Sequence, residues 1–284
     1  MTVENKNTES APQNRVLLSY EDIQYIYPFF KSKFGIFLLK TLYSFVGIDK
    51  INKLYYNSSD KNGPEFISSV LRELGITYRI HNEEILKQLP QGNFITISNH
   101  PYGALDGLIL IHLIASYRPD YKVMVNWILT YIKTMNENFI AVEPTPNKSR
   151  RQISMNGLRE SLAHVKEGHP IGFFPAGSVA KIRHFHIEEQ EWQPTITRLI
   201  KRFEIPVVPI YFHGHNSLFY NLLGLIHWKV RTVRLPAEVF NKQNTVFDIT
   251  VGEPISVEQQ RRFNDIDRFG EFLRNETLKL KNCK

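Results

Sequence analysis

The stretch FITISNHPYGALDG, residues Phe94–Gly107, decides the fold of this chain. Its first part, Phe94–Ser98, is apolar and β-branched, as in a buried strand, and a proline and a glycine then force a turn. An apolar helix follows, so Asp106 falls in its first turn, where free N–H groups and the positive helix end favour a carboxylate. The strand therefore delivers His100 to its carboxyl end, and the turn brings Asp106 back towards that histidine.

His100 and Asp106 together form a candidate base. A carboxylate beside an imidazole fixes the tautomer of the ring and leaves the other nitrogen free to accept a proton. That proton can come directly from a substrate hydroxyl, which is the chemistry of acyl transfer to an alcohol. The alternative is an Asp at a helix start beside an ordinary histidine of a turn. The bare spacing of the two residues leaves both interpretations open.

Short apolar runs recur along the chain and alternate with amphipathic helical patterns. Continuous apolar runs are typical of strands that are buried on both faces of a sheet. The candidate strands are Phe94–Ser98, Tyr121–Val125, Phe139–Val142, Ile171–Phe174, Val207–Phe212 and Phe247–Val251. The alternation predicts an α/β fold with a mainly parallel central sheet flanked by helices. Ligands bind at the carboxyl ends of the strands in such a sheet.

A second turn follows a candidate strand in the stretch IGFFPAGSVAKIR, which begins at Ile171. Gly177 allows the backbone to approach a ligand closely. Ser178, Lys181 and Arg183 add hydrogen-bond donors and positive charge, so the turn suits a phosphate or a carboxylate. The glycine spacings of a P-loop and of a nucleophile elbow are both absent. The alternative is a tight turn with a solvated basic face.

The chain of 284 residues has 35 Lys and Arg against 28 Asp and Glu, which gives a net charge of +7. This balance favours an anionic partner: nucleic acid, an anionic membrane surface or an acidic substrate. The cations are scattered and no nucleic-acid reader motif is present, which argues against a nucleic-acid partner. One cysteine, Cys283, excludes an internal disulfide framework and a zinc site built from several cysteines.

The two turns and a third apolar block resemble the glycerolipid acyltransferase family, whose best-known members acylate lysophosphatidic acid. The three blocks are Asn99-His100…Asp106, Phe174-Pro175-Ala176-Gly177 and Val207-Val208-Pro209-Ile210. Their order and spacing match the family. HGHNS at His213–Ser217 and VGEPI at Val251–Ile255 are similar to its hemolysin-like branch, which includes ornithine- and glycine-lipid O-acyltransferases.

The resemblance implies an O-acyltransferase with His100 as the general base and Asp106 as the residue that orients it. The donor is then an acyl-thioester of acyl-carrier protein or coenzyme A, used as a co-substrate, with no metal and no bound cofactor. The acceptor is the hydroxyl of a lyso-lipid, either a lysophospholipid or a monoacylated aminolipid. The residues expected to bind substrate are Asn99, Phe174, Pro175, Gly177, Ser178, Lys181 and Arg183.

The sequence departs from the family pattern in the residues that bind phosphate. Ala176 replaces the usual Glu of the second block, and Ser178 stands where the family usually has Thr. Glu143 stands where the phosphate-binding members carry Arg. Much of the usual glycerol-phosphate clamp is therefore missing. Acyl transfer is favoured, and an acylated amino acid with a free hydroxyl becomes a rival acceptor to lysophosphatidic acid.

Three segments are expected: a disordered tail at 1–15, a helical membrane-associating segment at 16–60 and the acyltransferase domain at 61–284. Aromatic, aliphatic and lysine residues at Tyr25–Ile48 suit a helix in the headgroup plane of a bilayer, although a helix packed on the core would look similar. Leu218–Trp228 has a like composition with a basic flank. We expect a peripheral or monotopic protein, bound to an anionic membrane surface on the cytoplasmic face of the bacterial inner membrane.

Two further interpretations remain open at this stage. The first is a catalytically silent lipid- or membrane-binding protein of the same fold, against which the presence of both His100 and Asp106 speaks. The second is a metal site. Histidines two residues apart occur at 184 and 186 and again at 213 and 215. No third ligand stands at a diagnostic spacing, so we expect no metal.

Overall fold

A seven-stranded sheet forms the centre of the computed structural model of this chain. The structure describes residues 16–143, 148–184 and 186–283, and the side chains at 40–45 and 148 are outside that description. The predicted tail at 1–15 also lies outside the described residues.

The strands and helices alternate along most of the chain. The strands are β1 (Thr77–His81), β2 (Ile95–Ser98), β3 (Lys122–Asn126), β4 (Phe139–Val142), β5 (Ile171–Phe173), β6 (Lys181–Arg183), β7 (His186–Glu188), β8 (Val207–Phe212) and β9 (Val246–Val251). The α-helices are α1 (Tyr20–Ile26), α2 (Lys33–Val46), α3 (Ile48–Ser58), α4 (Gly63–Leu74), α5 (Ala104–Ala115), α6 (Arg151–Lys166), α7 (Pro194–Phe203), α8 (Leu218–Ile226), α9 (Trp228–Glu238), α10 (Val257–Arg261) and α11 (Ile266–Lys279). Short 3₁₀ helices lie at Pro28–Lys31, Glu83–Gln88, Trp127–Tyr131, Lys133–Asn138, Lys148–Arg150, Phe240–Lys242 and Leu280–Asn282.

The strand order across the sheet is β1-β9-β8-β2-β5-β3-β4. Every neighbouring pair is parallel except β8 and β9, which are antiparallel. The predicted α/β fold with a mainly parallel sheet is confirmed. Strand β2 lies between β8 and β5, in the middle of the sheet. The residues that follow it therefore lie near the centre of the side where the parallel strands have their carboxyl ends.

All six candidate strands are present with ends shifted by at most one residue, but three further strands were not predicted. Strand β1 lies at an edge of the sheet and none of its residues is fully buried, so it lacks a continuous apolar run. Strands β6 and β7 form a separate antiparallel hairpin. Each has only three residues, which is too short for a periodic signal.

Helices cover both faces of the sheet and enclose two apolar cores. Successive residues of β8 point to opposite faces, as the pleat requires. Val208 belongs to the core that also contains Ile109 of α5, and Val207 belongs to the core that contains Leu273 of α11. This packing explains why α5 is apolar around most of its circumference, since it is buried over almost its whole length.

The helices of the 16–60 segment have a smaller core of their own, which includes Ile23, Phe30 and Leu39. Helices α2 and α3 also pack against α9, and α3 packs against α4. The division of the chain at residue 60 stays a prediction. Within the described residues, no helix is both long enough and apolar enough to cross a bilayer.

Candidate active site

Strand β2 ends in the turn that holds His100 and Asp106. Helix α5 begins at Ala104, so Asp106 lies in its first turn, as the sequence predicts. Nδ1 of His100 lies 2.9 Å from Oδ2 of Asp106. The Asp106 side chain is fully buried, whereas the His100 side chain is 18% exposed. The pair therefore has an inner carboxyl group and an outer imidazole that a substrate can reach.

The Asp106 carboxyl group is held by the main chain as well as by His100. Its Oδ2 accepts the N–H groups of Tyr102 at 2.8 Å and Gly103 at 2.9 Å. Complete burial raises the pKa of Asp106, while His100 and the two N–H donors oppose the rise. The 2.9 Å approach of His100 lies outside the usual hydrogen-bond angles, and catalytic pairs often align fully only with the reacting substrate.

The turn that follows β5 packs on the ring of His100. The ring centroids of Phe174 and His100 are 4.5 Å apart, and their planes are inclined by 37°. Gly177 has a φ of +63°, a left-handed conformation that favours glycine, and its N–H donates to the carbonyl of Phe174 at 2.9 Å. Ser178 is exposed next to it. The two turns predicted from the sequence thus meet at His100.

The main chain of His100 is fixed by residues that flank the β6–β7 hairpin. The N–H of Ala180 donates to the carbonyl of His100 at 3.0 Å, and the N–H of His100 donates to Oε2 of Glu189 at 3.1 Å. Burial raises the pKa of Glu189 to about 7, although the His100 N–H and the charge of His100 oppose the rise. Sequence reasoning missed Glu189, because no pattern places the residue after this hairpin beside the turn after β2.

The sequence matches the family described as Acyltransferase, Acyltransf_2, over residues 27–284. The chain is a member of this acyltransferase family. The match confirms the resemblance to the glycerolipid acyltransferases and the predicted class of enzyme.

Two curated relatives of this acyltransferase are lyso-glycine lipid O-acyltransferases. The protein from Phocaeicola vulgatus is 26% identical over 253 residues, which cover 86% of this chain and 88% of the relative. The protein from Bacteroides thetaiotaomicron is 25% identical over 251 residues, which cover 86% and 90%. Among solved structures, PlsC, the 1-acyl-sn-glycerophosphate (LPA) acyltransferase from Thermotoga maritima, aligns with a TM-score of 0.48 and 15% identity over 93% of this chain and 98% of that chain.

Asn99 of this acyltransferase joins two strands. Its Nδ2 donates to the carbonyl of Phe212 at 2.8 Å, and its Oδ1 accepts the N–H of Phe212 at 2.7 Å. The side chain is buried, and both ends of its amide are occupied by the end of β8. This geometry fits a residue that holds the predicted catalytic turn, residues 99–106, in register with β8 better than one that contacts substrate.

The other predicted substrate-binding residues lie along the second turn and β6. The carbonyl of Pro175 accepts the N–H of Gln193 at 2.9 Å, which anchors the turn to the start of α7. Lys181 directly follows Ala180 and is half-buried. Arg183 lies further along β6 and pairs with the exposed Glu191 at 3.0 Å. Along the chain, Ser178 and Lys181 are therefore closer than Arg183 to Ala180, whose N–H donates to the carbonyl of His100.

Glu143 stands where the phosphate-binding members of the family carry an arginine, and the structure pairs it with a neighbouring cation. Oε2 of Glu143 lies 3.4 Å from Nη1 of Arg150 and accepts the indole N–H of Trp127 at 3.1 Å. The guanidinium of Arg150 also stacks over the Trp127 ring at 4.1 Å. Arg150 is thus engaged with its own neighbours.

Helix α9 contacts the turn after β2 and the segment after the second turn. The sequence patterns did not predict these contacts. Gly103 has a φ of +93°, and a Cβ there would lie 3.1 Å from the side chain of Leu235. Arg231 donates to the carbonyls of Val179, at 3.2 Å, and Ala180. The absence of a side chain at Gly103 therefore lets α9 lie directly against the catalytic turn.

The histidines at 213 and 215 make contacts within the protein. Nε2 of His213 lies 2.8 Å from Oγ1 of Thr250, and Nδ1 of His215 lies 2.8 Å from the carbonyl of Asn216. In the part of the chain that the structure describes, no three His, Cys, Asp or Glu side chains come together as a metal-binding group.

A cavity of about 460 Å³ lies near the amino end of β3, beside Asn62, Asp120 and His169. Asp120 precedes β3, so this is the amino end of that strand, whereas His100 lies beyond the carboxyl end of β2. The cavity is lined by none of the residues of the candidate active site. Its position makes it unsuitable for a substrate of His100.

Proposed function

We propose that this acyltransferase moves a fatty acyl chain from an acyl-thioester to the hydroxyl of a lyso-lipid, with His100 as the general base. The observation that carries the proposal is the 2.9 Å contact between Nδ1 of His100 and the buried Asp106. Because Nδ1 faces the carboxyl group, Nε2 is the ring nitrogen that accepts a proton. Asp106 fixes the ring orientation and stabilises the imidazolium that forms.

The reaction proceeds by direct attack of the acceptor on the thioester. The hydroxyl oxygen of the acceptor bonds to the thioester carbonyl carbon while its proton passes to Nε2 of His100. The C–S bond then breaks, the new ester leaves, and the sulfur takes the proton back from the imidazolium. The donor is acyl-carrier protein or coenzyme A carrying the acyl chain.

A monoacylated aminolipid is the acceptor that these residues favour over lysophosphatidic acid. Both curated relatives are named for action on a lyso-glycine lipid. Glu143, already engaged with Arg150, offers no positive charge to a phosphate. A carboxylate head group needs fewer cationic partners than a phosphate, and we assign its recognition to the turn at Phe174–Gly177 with Ser178 and Lys181.

The enzyme reaches its lipid acceptor by lying on an anionic membrane surface. Two of the helices that pack on α9 carry exposed apolar side chains: Phe34 and Phe37 on α2, and Leu222, Leu225 and Ile226 on α8. Lys229 and Arg234 of α9 add positive charge beside them, as in interfacial helices. Because α9 packs on α8 and also contacts the turn after β2 through Leu235, we propose that docking by α8 sets the bilayer beside His100. We propose the cytoplasmic face of a bacterial inner membrane as the location.

The direct test is transfer of a labelled acyl chain by the purified protein in lipid vesicles. Lyso-glycine lipid and lysophosphatidic acid are compared as acceptors, each with acyl-carrier protein and coenzyme A donors. We expect labelled diacylated aminolipid as the main product. A protein that binds the vesicles but forms no labelled product with any donor would instead be the catalytically silent lipid-binding protein.

A further inference from the structure

Glu189 is a buried carboxyl group beside His100 that the mechanism above does not use. It directly follows β7, so the β6–β7 hairpin carries it back to the catalytic turn. One oxygen, Oε2, accepts the N–H of His100 at 3.1 Å. The other, Oε1, is buried and has no hydrogen-bond partner. A buried carboxyl group with a free oxygen is costly for the fold, which points to a use at the site.

Charges from three different elements act on Glu189. Those of His100 and Asp106 come from the residues after β2, and Tyr211 of β8 is coupled to it. Arg274 of α11 donates to the backbone carbonyl of Glu189 at 3.5 Å, and its charge favours the ionised carboxyl group. Glu189 is therefore held at two points, at its carboxyl group by the N–H of His100 and at its backbone carbonyl by Arg274.

We propose that Glu189 is a positioning residue for acyl transfer, which holds the main chain of His100 through its backbone N–H. Asp106 contacts the ring at Nδ1 and Glu189 binds the backbone N–H, so two carboxyl groups fix the orientation of His100. This inference rests on the proposed role of His100 as the base. Glu189 acts through His100 and does not touch the substrate.

The hydrogen bond carries this role, because Oε2 of Glu189 can accept the His100 N–H whether or not the carboxyl group is ionised. Loss of this acceptor leaves the buried N–H without a partner and lets His100 shift, which lowers kcat while the KM for both substrates changes little. A residue that only stabilises the fold would lower the amount of folded enzyme without changing the kcat of the folded molecules.

The test compares Glu189→Ala with Glu189→Gln in the vesicle assay. Gln still accepts the His100 N–H, so only the Ala variant removes the hydrogen bond. We expect kcat of Glu189→Ala to fall about tenfold with KM within about twofold, and Glu189→Gln to keep kcat within about threefold of the wild type. A Glu189→Gln enzyme as slow as Glu189→Ala would contradict a role through this hydrogen bond.

The matched control is Glu160→Ala on α6, which removes a half-exposed carboxylate paired with Lys122 of β3. Its kcat should equal that of the wild type. A wild-type kcat in Glu189→Ala would overturn the inference.

A second variant keeps the inference falsifiable if Glu189→Ala does not fold. Glu189→Asp is shorter by one methylene, so its carboxyl group withdraws from the His100 N–H, and kcat should fall about fivefold. A wild-type kcat in Glu189→Asp would also overturn the inference. The proposed function fails separately: if His100→Ala were fully active, His100 would not be the base, whatever Glu189 does.

Discussion

The catalytic turn and the exposed helix α8 are built in opposite ways. In the turn, Asp106 is fully buried, and backbone or side-chain contacts hold both Nδ1 and the main chain of His100. On α8, Leu225 and Ile226 are 63% and 76% exposed. The first region can no longer transfer a proton if the imidazole of His100 moves by about an ångström, because proton transfer needs hydrogen-bond distance. The second region needs only apolar area, so it depends on composition and tolerates change.

The largest effect is expected where the catalytic turn is altered at Asp106. Asp106→Asn keeps the size of the side chain but removes the negative charge that stabilises the imidazolium. We expect kcat to fall by about 10³-fold, within the range known for such carboxylates. Single-turnover transfer of a labelled acyl chain measures it. Asp267→Asn, on the exposed first turn of α11, is the control. Activity within threefold of the wild type would remove Asp106 from the mechanism.

A smaller effect is expected when the apolar surface of α8 is made acidic. Leu225→Glu with Ile226→Glu should weaken binding to anionic vesicles by about 30-fold, since apolar burial is lost and like charges repel. Vesicle sedimentation measures the binding, and activity on detergent-dispersed substrate should change little. The control is Met155→Glu with Leu158→Glu, an exposed pair on α6. Equal losses in both double variants would contradict a membrane-binding role that is specific to α8.

Asn99→Ala separates a structural role from a substrate-binding role in the catalytic turn. It leaves the N–H and the carbonyl of Phe212 without their buried partner. We expect the free energy of unfolding to fall by about 2–4 kcal/mol, because each unsatisfied buried group costs about 1–3 kcal/mol. Urea denaturation measures this loss. The KM for the acceptor should stay within about twofold. A large rise in KM with unchanged stability would instead make Asn99 a substrate-binding residue.

The smallest effect is expected at Ser178, which is exposed in the second turn. Ser178→Ala removes one hydrogen-bond donor, so we expect the KM for the lyso-lipid to rise about threefold with kcat unchanged. Steady-state kinetics with varied acceptor measures it. Ser149→Ala, at another exposed serine, is the control. A fall in kcat without a change in KM would contradict a role in binding the acceptor head group.

The sequence predicted the elements whose signal is local. The buried strands β2 and β8 were predicted because their apolar runs are continuous, and Asp106 was placed correctly because a Pro and a Gly mark the start of α5. Glu189 and helix α9 were missed for one physical reason. Their link to His100 comes from long-range packing of a hairpin and a helix on the turn after β2, and no spacing along the chain encodes it.

The central claim, that His100 takes the proton from the acceptor, is tested most directly by His100→Ala in single-turnover acyl transfer. With the thioester and the lyso-lipid saturating, we predict a rate about 10³-fold below the wild type, with the thermal midpoint of unfolding unchanged. His186→Ala, exposed on β7, should keep the wild-type rate. A His100→Ala protein that folds normally and transfers the acyl chain within threefold of the wild-type rate would contradict the account.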